Sequence, residues 1–271
     1  MIHTAGDTTA GNVPIRIYTP ISSGAKPKDL PLGIYAHGGG FIAGNLDAED
    51  PICRAVAHHT PCIIVSVDYR LGPKHKMPTM IEDSVAATKW AHENAASLGA
   101  DPHKIFTIGG SAGGGLALMI ANECAKKGED TVKGIVAIVP VALHPKTVPE
   151  KYRSMYTAYT ENAKGVPIID GESMEVIEAA VGLDPQNSDH YVGLSKHLEK
   201  FPPTYIAVCG RDPLRDDGVV LEKMLREKGV KTKIDMYERL PHYFWIFPSI
   251  TEGQKFMANM LQGVKFVLGR S

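Results

Sequence analysis

The stretch that most constrains this chain is "KIFTIGGSAGGGLALMIANECAKK", residues 104 to 127. A β-type run, Lys104 to Ile108, meets a helix-forming run, Gly114 to Lys127, across a corner of small residues that carries one hydroxyl, Ser111. Gly109-Gly110-Ser111-Ala112-Gly113 fits G-x-S-x-G in the strand, turn and helix context that the motif requires. So sharp a turn leaves the corner residue in strained backbone geometry and crowds its neighbours, which small side chains relieve. The hydroxyl is then pushed into the crevice at the carboxyl end of a sheet. Amide N–H groups at the start of the helix face any negative charge that develops beside it. Taken alone, the motif also fits a plain tight turn or a phosphate cradle. Two phosphate sites fail on detail: a P-loop needs Gly-Lys-Ser/Thr where Gly114-Gly115-Leu116 stands, and the spacing of G-x-G-x-x-G is absent.

The rest of the chain alternates in the same way. Strands are expected over Val13 to Thr19, Leu32 to Ala36, Cys62 to Val67, Lys104 to Ile108, Gly134 to Val139, Thr204 to Cys209 and Lys233 to Glu238. Several, such as "CIIVSV" and "GIVAIV", are apolar on both faces, as buried parallel strands must be. Between them Ala48 to His59, Met80 to Leu98, Gly114 to Lys127, Asp216 to Lys228 and Glu252 to Leu268 place apolar residues at helical spacing. The pattern predicts an α/β fold, a mostly parallel sheet flanked by helices. At 271 residues the chain suits a single domain, 1–271. One segment, about 142–200, separates two apolar strands without offering a strand of its own. A connection that long carries structure or function, so a helical lid over one end of the sheet is expected there.

"LGIYAHGGGFIAGN" places His37-Gly38-Gly39-Gly40 at the end of an early strand, where glycines free backbone N–H groups to point at a substrate oxygen. Serine is a poor nucleophile until a base takes its proton, and the base needs a carboxylate to fix its tautomer. "YIAVCGRDPLRDDG" offers Asp212 just past a late strand, and "IDMYERLPHYFWIF" offers His242 just past the next. The order Ser111, Asp212, His242 is that expected of an α/β-hydrolase. Asp216 and Asp217 read as acids at a helix N-terminus. His58, His59, His92 and His103 read as solvated, and His144, His190 and His197 lie in or beside the insertion, poorly placed to act as base. The aromatic run Tyr243, Phe244, Trp245, Phe247 reads as core packing, with Tyr243 bordering the pocket.

These residues resemble the hormone-sensitive-lipase-like branch of the α/β-hydrolases, which contains many microbial carboxylesterases. The resemblance runs from about Val13 to Phe247 through "HGGGF" (37–41), "DYRLGPKHKMPTMIED" (68–83), "GGSAGG" (109–114), "DPLRDDG" (212–218) and "HYF" (242–244). It implies Ser111 as nucleophile, His242 as base and Asp212 as orienting acid. It also implies an oxyanion hole from the N–H groups of Gly39, Gly40 and Ala112, with His37 and Gly38 supporting the loop. The sequence departs from the family pattern in three places. The position before the nucleophile is usually Asp and is Gly110 here, and the residue after the histidine is usually Gly and is Tyr243 here. Relatives usually carry several helices before the first strand, where only about a dozen residues precede "VPIRIYTP", so either the chain is truncated or its site is more open than usual.

The function expected is a serine carboxylesterase acting on small to medium esters through an acyl-enzyme. Rivals on the same fold are a lactone or acetyl-ester hydrolase, a dehydratase or lyase of a biosynthetic pathway, and a non-catalytic ligand receptor. A formal net charge of −1 gives no basic field for nucleic acid or an anionic membrane. Four scattered cysteines, without C-x-x-C pairs, read as buried thiols in a reducing compartment rather than a zinc site or disulfide framework. The N-terminus lacks a leader pattern, and no apolar run approaches about 18 residues. The expectations are therefore a cytoplasmic enzyme with no cofactor and no metal, a small-molecule ester as its partner, and a possible homodimer.

Overall fold

The computed structural model describes residues 4–20 and 28–270. Its strands are β1 (Thr4–Ala10), β2 (Val13–Thr19), β3 (Leu30–Ala36), β4 (Ile63–Val67), β5 (Ala100–Gly110), β6 (Val132–Ile138), β7 (Thr204–Arg211) and β8 (Thr232–Pro241). They form one sheet in the order β1-β2-β4-β3-β5-β6-β7-β8. The β1/β2 and β2/β4 pairs are antiparallel, and every later pair is parallel. The helices are α1 (Asp50–His59), α2 (Thr79–Leu98), α3 (Ala112–Lys127), α4 (Ala158–Glu161), α5 (Gly171–Val181), α6 (Arg215–Glu227) and α7 (Glu252–Val267).

Two apolar layers hold the sheet. Met80, Ala87, Leu116, Ile120 and Leu221 from α2, α3 and α6 pack on one face. Val56, Phe256, Met260 and Val264 from α1 and α7 pack on the other. This double cover is why β4 and the inner part of β6 read as continuous apolar runs: all five residues of β4 are buried. Among the described residues no helix is long and apolar enough to cross a membrane.

The pattern reading missed β1. "TAGDTTA" has no apolar alternation, and five of its residues, Ala5 to Thr9, are exposed, so burial imposes no pattern on it. The strand exists because Gly11-Asn12 turns the chain, with Gly11 at φ +61°, and pairs it backbone to backbone along β2. Arg16 on β2 then reaches back to Asp7, with Nε to Oδ1 at 2.6 Å.

The segment between β6 and β7 contains a 3-10 turn at Glu150–Met155, α4, α5 and two further short turns, with no strand. Helix α5 begins with a reciprocal cap: Ser173 N–H donates to Asp170 Oδ1 at 2.9 Å, and Asp170 N–H donates to Ser173 Oγ at 3.0 Å. Two carboxylates tie this segment to the sheet. Asp216 Oδ2 accepts from the N–H groups of Thr157 and Ala158, both at 2.7 Å. Asp217 Oδ2 accepts from Ala142 N at 2.9 Å and Leu143 N at 3.0 Å, and its other oxygen accepts from the Tyr156 hydroxyl. Both acids lie in the first turn of α6, as the sequence indicates, but they are buried and bind the insertion rather than facing solvent.

Candidate active site

Parallel strands deliver their functional residues at their carboxyl ends. Ser111 follows β5, next to the middle of the sheet, and is the N-cap of α3. Its backbone sits at φ +55°, ψ −120°, a left-handed φ that non-glycine residues seldom adopt. Hydrogen bonds fix that strain: Ser111 N–H donates to Ile138 O of β6 at 2.8 Å, and Ser111 O accepts from Gly115 N at 2.9 Å. The corner also needs close approach to β3. A Cβ on Gly113 would stand 2.0 Å from the carbonyl oxygen of Ala36.

Asp212 follows β7 and His242 follows β8. Asp212 Oδ2 and His242 Nδ1 are 2.7 Å apart, and both side chains are buried. The carboxylate accepts, so Nδ1 carries the hydrogen and Nε2 is left with the lone pair. Asp212 is held in turn by Leu214 N–H, which donates to its Oδ1 at 2.8 Å. Asn162, at the end of α4, donates to the main-chain oxygen of Asp212 at 3.3 Å. Sequence reading gave no role to Asn162.

The loop after β3 takes the form its glycines permit. Gly39 and Gly40 lie at φ +111° and +62°, and Gly39 O accepts from Ile42 N and Ala43 N at 3.1 and 2.9 Å. Ala112, directly after Ser111, is the first residue of α3. His37 sits under the loop. Its Nδ1 donates to Gly38 O at 2.7 Å, its ring stacks on Tyr69 at 4.2 Å, and burial pushes its pKa down, so the ring is neutral. Tyr69 donates to His37 O at 2.7 Å. Glu49 accepts from Gly38 N at 3.2 Å and from the Tyr35 hydroxyl at 2.6 Å. "DYRLGP" thus stands beneath the loop: Tyr69 grips His37, Gly72 N–H donates to Phe41 O at 2.8 Å, and Arg70 pairs with Asp83 at 2.7 Å. Nothing local in the sequence marks Tyr69 or Glu49 for these tasks.

Ser111, His242, Gly39 and Gly40 line one cavity of about 320 Å³. The insertion contributes Ile168, Ile169 and Ile177 to its wall. A second cavity of about 580 Å³ lies behind the glycine loop between α1 and α7, sharing Gly39, Tyr243 and Ile246 with the first. None of the other histidines singled out from the sequence lines the cavity that holds Ser111. His144 Nε2 instead lies 3.3 Å from Glu178 under the insertion, and His190 Nδ1 accepts from Asp184 N at 2.9 Å. Among the described residues no cluster of His, Cys, Asp or Glu is arranged to hold a metal ion. The family model that matches residues 33–246 is that of the alpha/beta hydrolase fold.

The chain is an α/β-hydrolase.

Its curated relatives narrow the group. A versiconal hemiacetal acetate esterase of Dothistroma septosporum is 46% identical over 267 residues, covering 97% of this hydrolase and 81% of that protein. Carboxylesterase NlhH of Mycobacterium tuberculosis is 34% identical over 247 residues, covering 88% and 73% of the two chains. Among solved structures, a vibralactone cyclase matches with a TM-score of 0.91 at 30% identity, covering 99% of this hydrolase and 80% of that chain. An esterase of Pyrobaculum calidifontis matches with a TM-score of 0.85 at 31% identity, covering 98% and 86%. Together these relatives place the hydrolase in the hormone-sensitive-lipase-like carboxylesterase group.

Proposed function

We propose that the hydrolase is a serine carboxylesterase in which Ser111 is the nucleophile, His242 the base and Asp212 the acid that orients it. The observation that carries this reading is the buried 2.7 Å contact of His242 Nδ1 with Asp212 Oδ2, in a site where His242 and a strained Ser111 line one cavity. His242 Nε2 takes the Ser111 proton as Oγ attacks the ester carbonyl. The N–H groups of Gly39, Gly40 and Ala112 stabilise the tetrahedral oxyanion, each such donor contributing about 3 kcal/mol in the transition state. The proton then goes to the leaving alcohol, and water, activated by the same imidazole, releases the acid from the acyl-enzyme. The segment from about 142 to 200 acts as the lid over this chemistry.

The relative named as a hemiacetal acetate esterase supports a short acyl group, an acetyl, on the substrate. The cavity of about 320 Å³ that holds Ser111 is large enough for such an ester. A second reading, in which the substrate's own hydroxyl rather than water resolves the acyl-enzyme and closes a lactone, is favoured by the match to a protein named as a cyclase. A dehydratase, a lyase or a ligand receptor would have no use for the complete set of Ser111, Asp212 and His242. For its surroundings we propose the cytoplasm, with Cys62 and Cys124 kept as inert thiols by burial that pushes them up to about 12 and about 11. Self-association through the last helix is tested by sedimentation.

One experiment tests the assignment. An organophosphate should label Ser111 covalently and abolish p-nitrophenyl acetate hydrolysis, with the adduct located by peptide mass. Labelling elsewhere, with activity lost, would move the nucleophile.

A further inference from the structure

The two positions near the nucleophile and base at which this chain departs from its family pattern, Gly110 and Tyr243, touch each other. A Cβ on Gly110 would stand 2.0 Å from the Tyr243 hydroxyl oxygen and 2.7 Å from its Cζ. One on Gly38 would stand 2.3 and 2.9 Å from the same two atoms. The phenol therefore fills the space of two missing side chains, one on each side. The ring has little freedom to yield. It lies between His242, at 5.1 Å, and Trp245, at 4.6 Å, and Trp245 is itself stacked on Phe256 at 3.8 Å.

Tyr243 carries two unfavourable features. Its backbone is left-handed, at φ +55°, and its hydroxyl is buried beside the Glu49 carboxylate without reaching good hydrogen-bond geometry to any described residue. Burial and then the nearby charge of Glu49 push its pKa well up, so the group stays a neutral phenol. A buried hydroxyl so poorly bonded contributes little by bonding, so the main contribution of the residue lies in the volume and place of its ring. That place is specific. Gly110 precedes the nucleophile, Gly38 precedes the first oxyanion-loop donor, and Tyr243 follows the base, so one ring abuts all three segments.

We infer that Tyr243 is a positioning residue that sets the spacing between nucleophile, oxyanion loop and base, and that position 110 is glycine to admit its ring, which also packs into the space beside Gly38. The inference rests on the triad proposed above. It acts through geometry alone: a displacement of about 1 Å between reacting groups costs about 100-fold in rate.

A substitution cycle tests it, with kcat and KM on p-nitrophenyl acetate and thermal unfolding measured for each variant. Gly110→Ala should lower kcat about 100-fold while KM changes little, because the misplacement affects the reacting atoms more than ground-state binding. Tyr243→Gly should lower kcat by loosening the three segments, and Tyr243→Phe, which keeps the ring, should retain more of it. Gly110→Ala combined with Tyr243→Gly should recover about tenfold over Gly110→Ala alone, as coupled neighbours do and independent ones do not. A combined variant no faster than Gly110→Ala overturns the inference, as do equal losses in Tyr243→Phe and Tyr243→Gly. If Gly110→Ala does not fold, Gly38→Ala takes its place in the cycle, since its new carbon meets the same two atoms. Ser111→Ala, run alongside, separates the two readings. Activity surviving in Ser111→Ala overturns the triad, whereas an inactive Ser111→Ala with no recovery in the combined variant overturns only the role of Tyr243.

Discussion

At the scale of single residues, the proposed chemistry rests on three side chains held in different ways. Ser111 is held by its backbone, His242 by Asp212, and Asp212 by Leu214 N–H on one oxygen and by Asn162 on its main chain. Ser111→Ala should lower kcat/KM on p-nitrophenyl acetate at least about a thousandfold with the unfolding midpoint nearly unchanged, since only a hydroxyl is removed. Asp212→Asn should cost about 10⁴-fold, because an amide that donates to Nδ1 would reverse the imidazole tautomer. Near-native turnover in either variant would sink the triad. That these three residues could meet was legible in the sequence, because each is a polar side chain suited to its proposed task just beyond an apolar strand, and the fold does bring them to one site. Tyr69, Glu49 and Asn162 were not legible in these roles. Their work is to hold the carbonyls and amides of distant segments, and no local pattern announces a side chain that bonds to a backbone far away in the chain. The contact between Gly110 and Tyr243 was hidden for the same reason: each read as an isolated departure, and only the fold shows that one fills the space of the other.

Among elements, the link between α6 and the insertion departs most from a simple helix-dipole reading. Asp216 and Asp217 do open a helix, yet each also receives two backbone N–H groups of the segment that follows β6. The two are not equivalent. Asp216 is further paired with Arg215, Nε to Oδ1 at 2.7 Å, so all its contacts are donors and an amide nitrogen there would face one of them. Asp216→Asn should therefore destabilise by about 3 kcal/mol, the scale of breaking a buried pair. Asp217 can exchange an oxygen for an NH₂ that donates to Tyr156 while its carbonyl keeps both amides, so Asp217→Asn should cost less than about 1 kcal/mol. Urea unfolding at neutral pH checks this ranking, and equal losses would contradict it. The pH dependence has a definite sign. Burial raises the Asp217 pKa well above 3.8, so its contribution is present below that value and is lost as pH rises through the folded value. The stability of wild type relative to Asp217→Asn should fall as pH is raised from about 4, and a difference that grows would refute the assignment. Strands β2 to β7 and the long helices were readable from their apolar pattern because burial imposes it, whereas β8, at the far edge, has one buried residue among ten. Strand β1 was not, since an exposed edge is built by backbone pairing and a two-residue turn, which composition alone does not mark.

For the whole molecule, the shape of the catalytic cavity decides which esters are used well. Three of its lining isoleucines, Ile42, Ile168 and Ile246, remain 38%, 49% and 53% exposed, so the walls around Ser111 open to solvent within a short distance. Each methylene buried in such a cavity contributes about 0.8 kcal/mol, and one that emerges into water contributes nothing. Activity on p-nitrophenyl esters should accordingly peak at short acyl chains, roughly C2 to C6, and fall beyond them. A series of kcat/KM values from acetate to palmitate measures this, and a maximum at about C10 or longer would show a closed tunnel instead. The tether between insertion and sheet has one more consequence, for how such an enzyme can be recombined. The two acids that grip the insertion lie only four and five positions past Asp212, on the same turn into α6, so they are not part of the segment they hold. A cover transplanted from a related hydrolase would arrive without its clamps and would have to dock on these two carboxylates, with its own amides presented at the positions of residues 142, 143, 157 and 158. The grafts that succeed should be those matching that pattern of four amides, whatever their side chains.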